Sequence, residues 1–196
     1  MRVFGIDPGS ERTGYGCVDT DGRRHRLVTC GAIAARTEDA FPARLARIHK
    51  ELSLLLARCK PDCVAVENVF YATNVRSALK LGHARGVAML AAVEADCDVA
   101  EYTPAEVKRA VVGYGRAEKH QVQHMVKLLL GLDKAPSPHD ASDALAVAIC
   151  HAHAHSRPVA EVAKATPARA GAVARATSDP PRPKLPRSWR QYRPPA

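Results

Sequence analysis

Four acidic residues stand where apolar segments of the chain end or where a helix is predicted to begin. Asp7 and Glu67 each end an apolar run that is typical of a buried strand, and Asp140 and Asp143 lie three residues apart at the start of a predicted helix. A carboxylate at the end of a buried strand loses hydration, so its charge has to be compensated. If these segments converge, a divalent metal ion is the simplest partner for several carboxylates. The chain is therefore a candidate metal-dependent enzyme.

The chemistry that such a pocket favours is hydrolysis at phosphorus. Parallel strands place their carboxyl ends at one edge of a sheet, and residues three apart share one face of a helix, so all four acids can meet. Two metal ions about 3.5–4 Å apart would suit in-line displacement, in which one ion activates water and the other stabilises the leaving oxygen. We therefore predict phosphodiester hydrolysis.

Each acid also has an ordinary structural explanation. Taken alone, Asp140 fits a helix cap better than a metal ligand, and Asp143 fits a partner of the helix dipole. Asp7 precedes Pro-Gly and fits a turn residue equally well. Glu67 fits neither a buried strand nor a turn. The joint occurrence of the four acids favours the metal site.

The elements that must position these acids follow from hydrophobic periodicity and turn residues. The pattern predicts a three-stranded antiparallel meander, then a helix, then a buried strand parallel to the first, and then alternating helix and strand. Gly14 and Gly16 in the second strand permit close backbone approach. Thr103 to Glu106 forms a capping box that starts a helix. Predicted strands cover 2–7, 12–19, 26–34, 63–69 and 99–102, and the other predicted helices cover 43–56, 74–94, 118–131 and 140–154.

Length and charge indicate one domain followed by a basic tail. The chain has 196 residues, of which 46% are hydrophobic, and this is enough for one full core. Residues 1–156 carry 20 Lys and Arg against 18 Asp and Glu, whereas residues 157–196 carry 9 against 2 together with 8 of the 14 prolines. We expect a mixed-sheet α/β domain over 1–156 and a disordered tail over 157–196 that tethers DNA without sequence preference.

Cysteine usage and hydropathy indicate a cytoplasmic protein. The six cysteines have no C-x-x-C spacing, which favours buried free thiols, and neither a signal segment nor a membrane-spanning run is present in the sequence. In the His-rich segment 150–155 only His151 and His155 share a helical face, so we expect no functional metal site there.

Taken in order, the motifs resemble the RuvC family of crossover junction endodeoxyribonucleases over about residues 1–155. The matching segments are Phe4–Ser10 with Thr13–Gly16, Glu67–Phe70, Ser77–Gly86, Val112–Gly113 with Ala117–Lys119, Gln123–Val126 and Asp140–Ala146. The resemblance implies a ribonuclease-H-like fold with a mixed five-stranded sheet flanked by helices. By motif position it assigns Asp7, Glu67, Asp140 and Asp143 as a catalytic, metal-binding tetrad.

The same resemblance implies the activity and the partners. It predicts a homodimer with two Mg²⁺ ions per active site, for which Mn²⁺ substitutes. The expected reaction is paired, symmetric nicking of four-way (Holliday) DNA junctions at a short T-containing site, leaving 5'-phosphate and 3'-hydroxyl ends, in recombination and repair. RuvA and RuvB would be the branch-migration partners. Two-fold symmetry suits this substrate because it places one active site against each of two like strands.

The resemblance also places residues that contact DNA. Phe70 matches a position where an aromatic ring contacts bases, although a core phenylalanine is the ordinary alternative. Lys108 and Lys119 match two important lysines of the family, and we expect them to contact phosphate and stabilise developing charge, with Lys119 also catalytic. Arg116 flanks the same loop. Plain surface lysines are the alternative for this group.

The predicted helix 74–94 carries two further features. Arg76, Lys80 and Arg85 are spaced for a positive stripe, for which Arg76 and Lys80 are our DNA-binding candidates and a solvated face is the alternative. The small side chains along the same helix make it our candidate dimer interface, and the alternative is that this face packs on its own sheet. These small residues are Ala78, Gly82 and Gly86.

Four polar residues lie near the acids in the sequence. His139, beside Asp140, is open to three roles, namely metal ligand, proton carrier or mere neighbour of the helix cap, and we favour the neighbour. Ser10, Asn68 and Ser142 are expected to orient the acids.

Three other classes of protein were weighed. Actin-like ATPases and sugar kinases share the Gly5–Ser10 segment, but they need a second phosphate loop in a second domain, for which the remaining length is too short. The segments 77–86 and 123–126 argue against a YqgF-type nuclease that acts on RNA. A junction-binding protein without catalysis would not need all four acids.

Overall fold

The computed structural model of the protein describes residues 1–68 and 74–155. Phe70 and residues 157–196 lie outside this described part, so the predicted base contact and the predicted division into a domain and a disordered tail stay predictions.

Five strands form one mixed sheet in the order β3-β2-β1-β4-β5. Strands β1 (Arg2–Asp7), β2 (Arg12–Thr20) and β3 (His25–Ala34) form an antiparallel meander. Strands β4 (Cys63–Glu67) and β5 (Asp98–Tyr102) run parallel to β1. The predicted meander and the predicted parallel pairing of the first and fourth strands are therefore confirmed.

Five helices flank the sheet within the described part. They are α1 (Phe41–Cys59), α2 (Val75–Glu94), α3 (Pro104–Val112), α4 (Lys119–Leu129) and α5 (His139–His155). Side chains of successive strand residues alternate between two apolar cores. Val3 and Val18 pack with α3, α4 and α5, whereas Phe4 and Ile6 pack with α1 and α2.

The element boundaries differ from the predictions by a few residues. The first helix begins at Phe41 rather than 43 because Pro42 fits its first turn, and it ends where Lys60 adopts a left-handed conformation. The fourth helix is shorter than predicted because Glu118 is its cap and Leu130 ends it. The capping box of Thr103 and Glu106 is present as predicted.

Helix α5 lies unusually close to the sheet at two glycines. A Cβ atom at Gly5 would overlap the carbonyl oxygen of Ala144, and one at Gly14 would overlap the carbonyl oxygen of Asp140. Only a glycine leaves room for this approach. The first turn of α5 is thereby placed directly over β2, as the prediction of close approach at Gly14 required.

The carboxyl-terminal end of α5 is rich in histidines that hydrogen-bond to neighbouring elements. The hydroxyl of Tyr102 lies 2.9 Å from Nδ1 of His151, and burial lowers the pKa of His151 to about 4. His153 contacts His25 through their Nε2 atoms at 3.0 Å and the carbonyl oxygen of Ala110 at 3.0 Å. These contacts fasten the end of α5 to its neighbours.

Among the helices that the structure describes, none has the length and apolar character to cross a membrane.

Candidate active site

The four predicted acids meet at one edge of the sheet. Asp7 is the last residue of β1 and Glu67 is the last residue of β4, and these strands are parallel neighbours in register at Ile6 and Val66. Asp140 and Asp143 lie in the first turns of α5. The charges of the other three acids all act on Asp7. Three distant segments of the chain therefore contribute to one acidic cluster.

Asp7 and Glu67 form the buried half of this cluster. Burial, followed by the negative charges of Glu67 and Asp143, raises the pKa of Asp7 to about 8. Burial also raises the pKa of Glu67, although the hydrogen bond from Asp7 acts in the opposite direction. The hydrogen bond between the two carboxyl groups raises the pKa of Asp7 and lowers that of Glu67, so it favours the protonated form of Asp7. Two carboxyl groups that share one proton signal a site short of positive charge.

Asp140 and Asp143 form the more exposed half, and each is paired with a cation. Nε of Arg12 donates to Oδ2 of Asp140 at 2.9 Å. Nζ of Lys119 lies 2.6 Å from Oδ2 of Asp143, and this hydrogen bond raises the pKa of Lys119. In the described residues, no three Asp, Glu, His or Cys side chains stand close enough to chelate an ion as they are. Asp140 and Asp143 are therefore paired with cations of the protein itself.

A small cleft with two lysines opens beside the cluster. It has a volume of about 190 Å³, and Lys108 and Lys119 line it together with Glu67 and Asp143. The charges of both lysines lower the pKa of Glu67 and so partly offset the effect of burial. The structure thus brings both predicted lysines to the acids.

The remaining predicted cations lie on the surface. Arg76 and Lys80 are exposed in the first turns of α2, and Arg116 is exposed between α3 and α4. The prediction that Arg85 belongs to an exposed positive stripe on α2 is wrong, because Arg85 forms an ion pair with Glu101 of β5. Its side chain is only 24% exposed.

Glu101 links α2 to the end of the strand that carries Glu67. Its carboxylate accepts hydrogen bonds from Arg85 and, at 3.0 Å, from Nδ2 of Asn68. The backbone N–H of Asn68 also donates to the carbonyl oxygen of Tyr102 at 2.7 Å. This network fixes the backbone immediately after Glu67.

The loop after Asp7 is held by a buried arginine. Arg44 of α1 is 5% exposed and donates to the carbonyl oxygen of Ser10. Within the loop, the hydroxyl of Thr13 donates to the carbonyl oxygen of Gly9 at 2.8 Å. Sequence analysis missed Arg12, Arg44 and Glu101, and no local pattern around them indicates their partners.

The expectation that Ser10, Asn68 and Ser142 orient the acids stays a prediction. Ser142 donates to the carbonyl oxygen of Pro136 at 3.0 Å, which fixes the loop before α5. The backbone carbonyl oxygen of Ser10 accepts a hydrogen bond from Arg44, and the side chain of Asn68 donates to Glu101. His139 accepts a hydrogen bond from Gln123 at its Nδ1, at 2.7 Å.

Comparison with known proteins identifies the family. The family model described as crossover junction endodeoxyribonuclease RuvC matches residues 3–151. The chain belongs to the RuvC family. Crossover junction endodeoxyribonuclease RuvC of Syntrophotalea carbinolica is 58% identical over 153 residues, which cover 78% of this chain and 94% of that protein. RuvC of Alkaliphilus oremlandii is 51% identical over 153 residues, with 78% and 93% covered.

A solved structure of the RuvC family also matches the fold. Thermus thermophilus RuvC in complex with a Holliday junction substrate is 38% identical, with a TM-score of 0.76 over 80% of this chain and 95% of that chain. The predicted family and the predicted ribonuclease-H-like sheet flanked by helices are confirmed.

Proposed function

We propose that this chain resolves four-way DNA junctions by paired, symmetric nicks in two like strands. Each cut would hydrolyse one phosphodiester bond and leave a 5'-phosphate and a 3'-hydroxyl end, in homologous recombination and DNA repair. The observation that carries the proposal is the cluster of four acids at one sheet edge, in a chain that belongs to the RuvC family. The likeness to a relative whose structure contains a Holliday junction substrate supports the choice of DNA.

The donor atoms of the acidic cluster suit hard divalent cations. Asp7, Glu67, Asp140 and Asp143 supply only carboxylate oxygens, which are the donors that Mg²⁺ and Mn²⁺ favour. The pKa of Asp7, raised by burial and by the charges of the neighbouring acids, supports a site that takes up positive charge. We propose two Mg²⁺ ions held by these four residues, with Mn²⁺ as a substitute. When bound, such ions activate water and stabilise the leaving oxygen.

The chain's own residues would prepare the cluster and position the DNA. Burial raises the pKa of Asp7, so a metal ion would have to displace a proton from Asp7 before that carboxylate could act as a ligand. Lys108 and Lys119 line the cleft beside Glu67, so we assign them to a phosphate of the cut strand. Lys119 lies nearest to the acids and is our candidate for stabilising the charge that develops on the phosphate.

Further DNA contacts are proposed around the start of α2. Phe70 would stack on an unpaired base at the crossover, an interaction worth about 1–3 kcal/mol. Arg76 and Lys80 follow it in sequence and are exposed, which suits contact with backbone phosphates. Arg116 is exposed three residues before Lys119 in sequence and would add a positive charge to the DNA-binding surface.

We propose that α2 forms the interface of a homodimer. The helix buries a different face on its own sheet, through Ala84 and Ala88. A Cβ atom at Gly82 or Gly86 would meet no atom within 4 Å. These glycines line an apolar groove of about 500 Å³ together with Leu79, Leu90 and their neighbours. Leu79 is 60% exposed, as expected for a surface that a second copy covers.

The cellular setting is inferred from family and composition. RuvA and RuvB are proposed as the branch-migration partners on the strength of the family alone. The six cysteines are all free thiols, which supports a reducing, cytoplasmic compartment.

The deciding experiment is cleavage of a synthetic four-way junction in the presence of Mg²⁺. We expect nicks at symmetric positions in two like strands and little cleavage of linear duplex or RNA hairpin of the same sequence. ATP turnover should be absent. Glu67→Gln is the matched inactive control because it removes one carboxylate and keeps the shape of the side chain. Full activity of Glu67→Gln, or equal cleavage of duplex and junction, would overturn the proposal.

A further inference from the structure

Arg12 is a cation at the candidate active site, and the proposed reaction gives it no role. Arg12 is the first residue of β2. Its Nε donates a hydrogen bond to Oδ2 of Asp140 at 2.9 Å, although the two residues are 128 positions apart in the sequence. The Arg12 side chain is 53% exposed and that of Asp140 is 29% exposed. The pair therefore lies at the open rim of the acidic cluster.

Stability does not explain this contact. A single ion pair with this exposure contributes little to stability, because water and salt screen it. The contact also leaves most of the hydrogen-bonding atoms of both side chains without a partner among the described residues. It engages one carboxylate oxygen of Asp140 and one guanidinium nitrogen, and Nη1 and Nη2 of Arg12 form no hydrogen bond with any residue that the structure describes. Arg12 thus keeps two donor groups for another partner, and Asp140 keeps Oδ1 for a metal ion.

The cations around the cluster lie on two sides. Lys108 and Lys119 line the cleft beside Glu67, which ends β4, whereas Arg12 opens β2. Strands β2 and β4 are neighbours of β1 on opposite sides, so Arg12 and the cleft flank Asp7 from two sides. Asp140 and Asp143 are separated by about 4.5 Å along the axis of α5, from the rise of three residues. A DNA strand whose scissile phosphate sits over the acids would therefore have lysines on one flank and Arg12 on the other.

We propose that Arg12 binds the backbone phosphate next to the scissile one, on the side opposite to Lys119. In the metal-free protein its guanidinium neutralises Asp140. With a metal ion and DNA in the site, Asp140 would serve as a metal ligand and the Arg12 guanidinium would donate to the DNA phosphate instead of to Asp140. A guanidinium suits this exchange because its fork of N–H groups matches two phosphate oxygens. The inference rests on the proposed function and deepens it.

The first test is junction affinity of Arg12→Gln, measured by fluorescence anisotropy with Ca²⁺ in place of Mg²⁺. Loss of a charged, two-point phosphate contact should weaken binding by about tenfold. The slope of log affinity against log salt should become shallower by about 0.9, as for one lost phosphate contact. Arg26→Gln is the matched control, because Arg26 also pairs with an aspartate, Asp19 at 3.0 Å, near the other end of the sheet. It should bind like the wild type.

The second test locates the contact on the DNA. Single methylphosphonates, which are uncharged, are placed at each phosphate flanking the cut, and single-turnover cleavage is followed at several junction concentrations. At the contacted phosphate the wild type should lose apparent affinity, and Arg12→Gln should lose nothing further. Additive losses at every flanking phosphate would overturn the proposal.

The third test separates DNA contact from a purely positioning role. Mg²⁺ affinity of the protein without DNA is measured by calorimetry. Arg12→Gln should bind Mg²⁺ as well as the wild type or a few-fold better, because a competing cation has gone. Weaker Mg²⁺ binding with unchanged junction affinity would mean that Arg12 only positions Asp140, and would refute the inference. A wild type that fails to cut junctions would refute the proposed function instead, while the anisotropy test of Arg12 would still apply.

Discussion

The protonated state of Asp7 leads to a prediction about stability. The pKa of Asp7 is raised from 3.8 to about 8 by burial and by the neighbouring acids. Between these values the folded protein keeps a proton that the unfolded chain has lost. The free energy of unfolding must therefore fall as pH rises from about 4 to about 8, and level off above the folded pKa. Asp7→Asn removes this penalty, so an inactive variant should be more stable than the wild type.

The magnitude follows from the size of the shift. Each unit of pKa corresponds to about 1.4 kcal/mol, so a shift from 3.8 to about 8 sets a ceiling of about 6 kcal/mol above pH 8. The gain will be smaller, because replacing Asp7 also alters the hydrogen bond to Glu67. We expect Asp7→Asn to raise the free energy of unfolding by roughly 2–4 kcal/mol at pH 8 and by clearly less at pH 5.

Urea denaturation in EDTA at pH 5, 6.5 and 8 measures this difference. Asp19→Asn is the control of opposite sign, because hydrogen bonds from Arg2 lower the pKa of Asp19 to about 2, so its loss should destabilise the protein at neutral pH. Added Mg²⁺ should stabilise the wild type more than Asp7→Asn, since the variant lacks one ligand. The reasoning fails if Asp7→Asn is less stable than the wild type at pH 8 in EDTA, or if the difference is the same at all three values.

Four further predictions concern the framework of the site, the dimer interface and the tail. Gly14→Ala should push the first turn of α5 away from β2, destabilising the fold by at least about 2 kcal/mol in urea denaturation and lowering cleavage, and a variant as stable as the wild type would contradict the close approach. Glu101→Ala should lower kcat with little change in junction affinity, because it removes the acceptor that holds the side chain of Asn68 next to Glu67; unchanged kcat would contradict this. Replacing both Gly82 and Gly86 by leucine should leave the monomer folded, because their surroundings are open, and should disrupt the dimer in sedimentation; an intact dimer would remove the interface proposal. Deleting residues 157–196 should lower the junction affinity and make the slope of log affinity against log salt shallower. An unchanged slope would exclude the DNA tether.

The elements of the fold could be predicted because their signals are local. Alternating apolar residues gave the meander, and the capping box of Thr103 and Glu106 gave the start of α3. Four acids at element ends were enough to predict that they meet, since parallel strands share an edge. The roles of Lys108 and Lys119 came from resemblance alone, and the structure supports them only by placing both lysines beside the acids.

The ion pairs that arrange the site could not be predicted from the sequence. Arg12 and Asp140 are 128 residues apart, and Arg85 pairs with a residue on a different element. On a helical projection Arg85 is equivalent to any other exposed arginine, because its partner is decided by how α2 lies over β5. Periodicity locates the face of an element but carries no information about which side chain of another element will meet it.

Helix α5 combines two roles that proteins usually keep apart. Eleven of the twelve residues from 141 to 152 are buried, all except Asp143, yet the first turns of the helix carry two of the four acids. Amide hydrogens along such a helix exchange with solvent mainly through global unfolding rather than local fluctuation. The acids at its start are consequently attached to the most slowly exchanging part of the molecule, and the geometry of the cluster should persist unchanged until the whole domain melts.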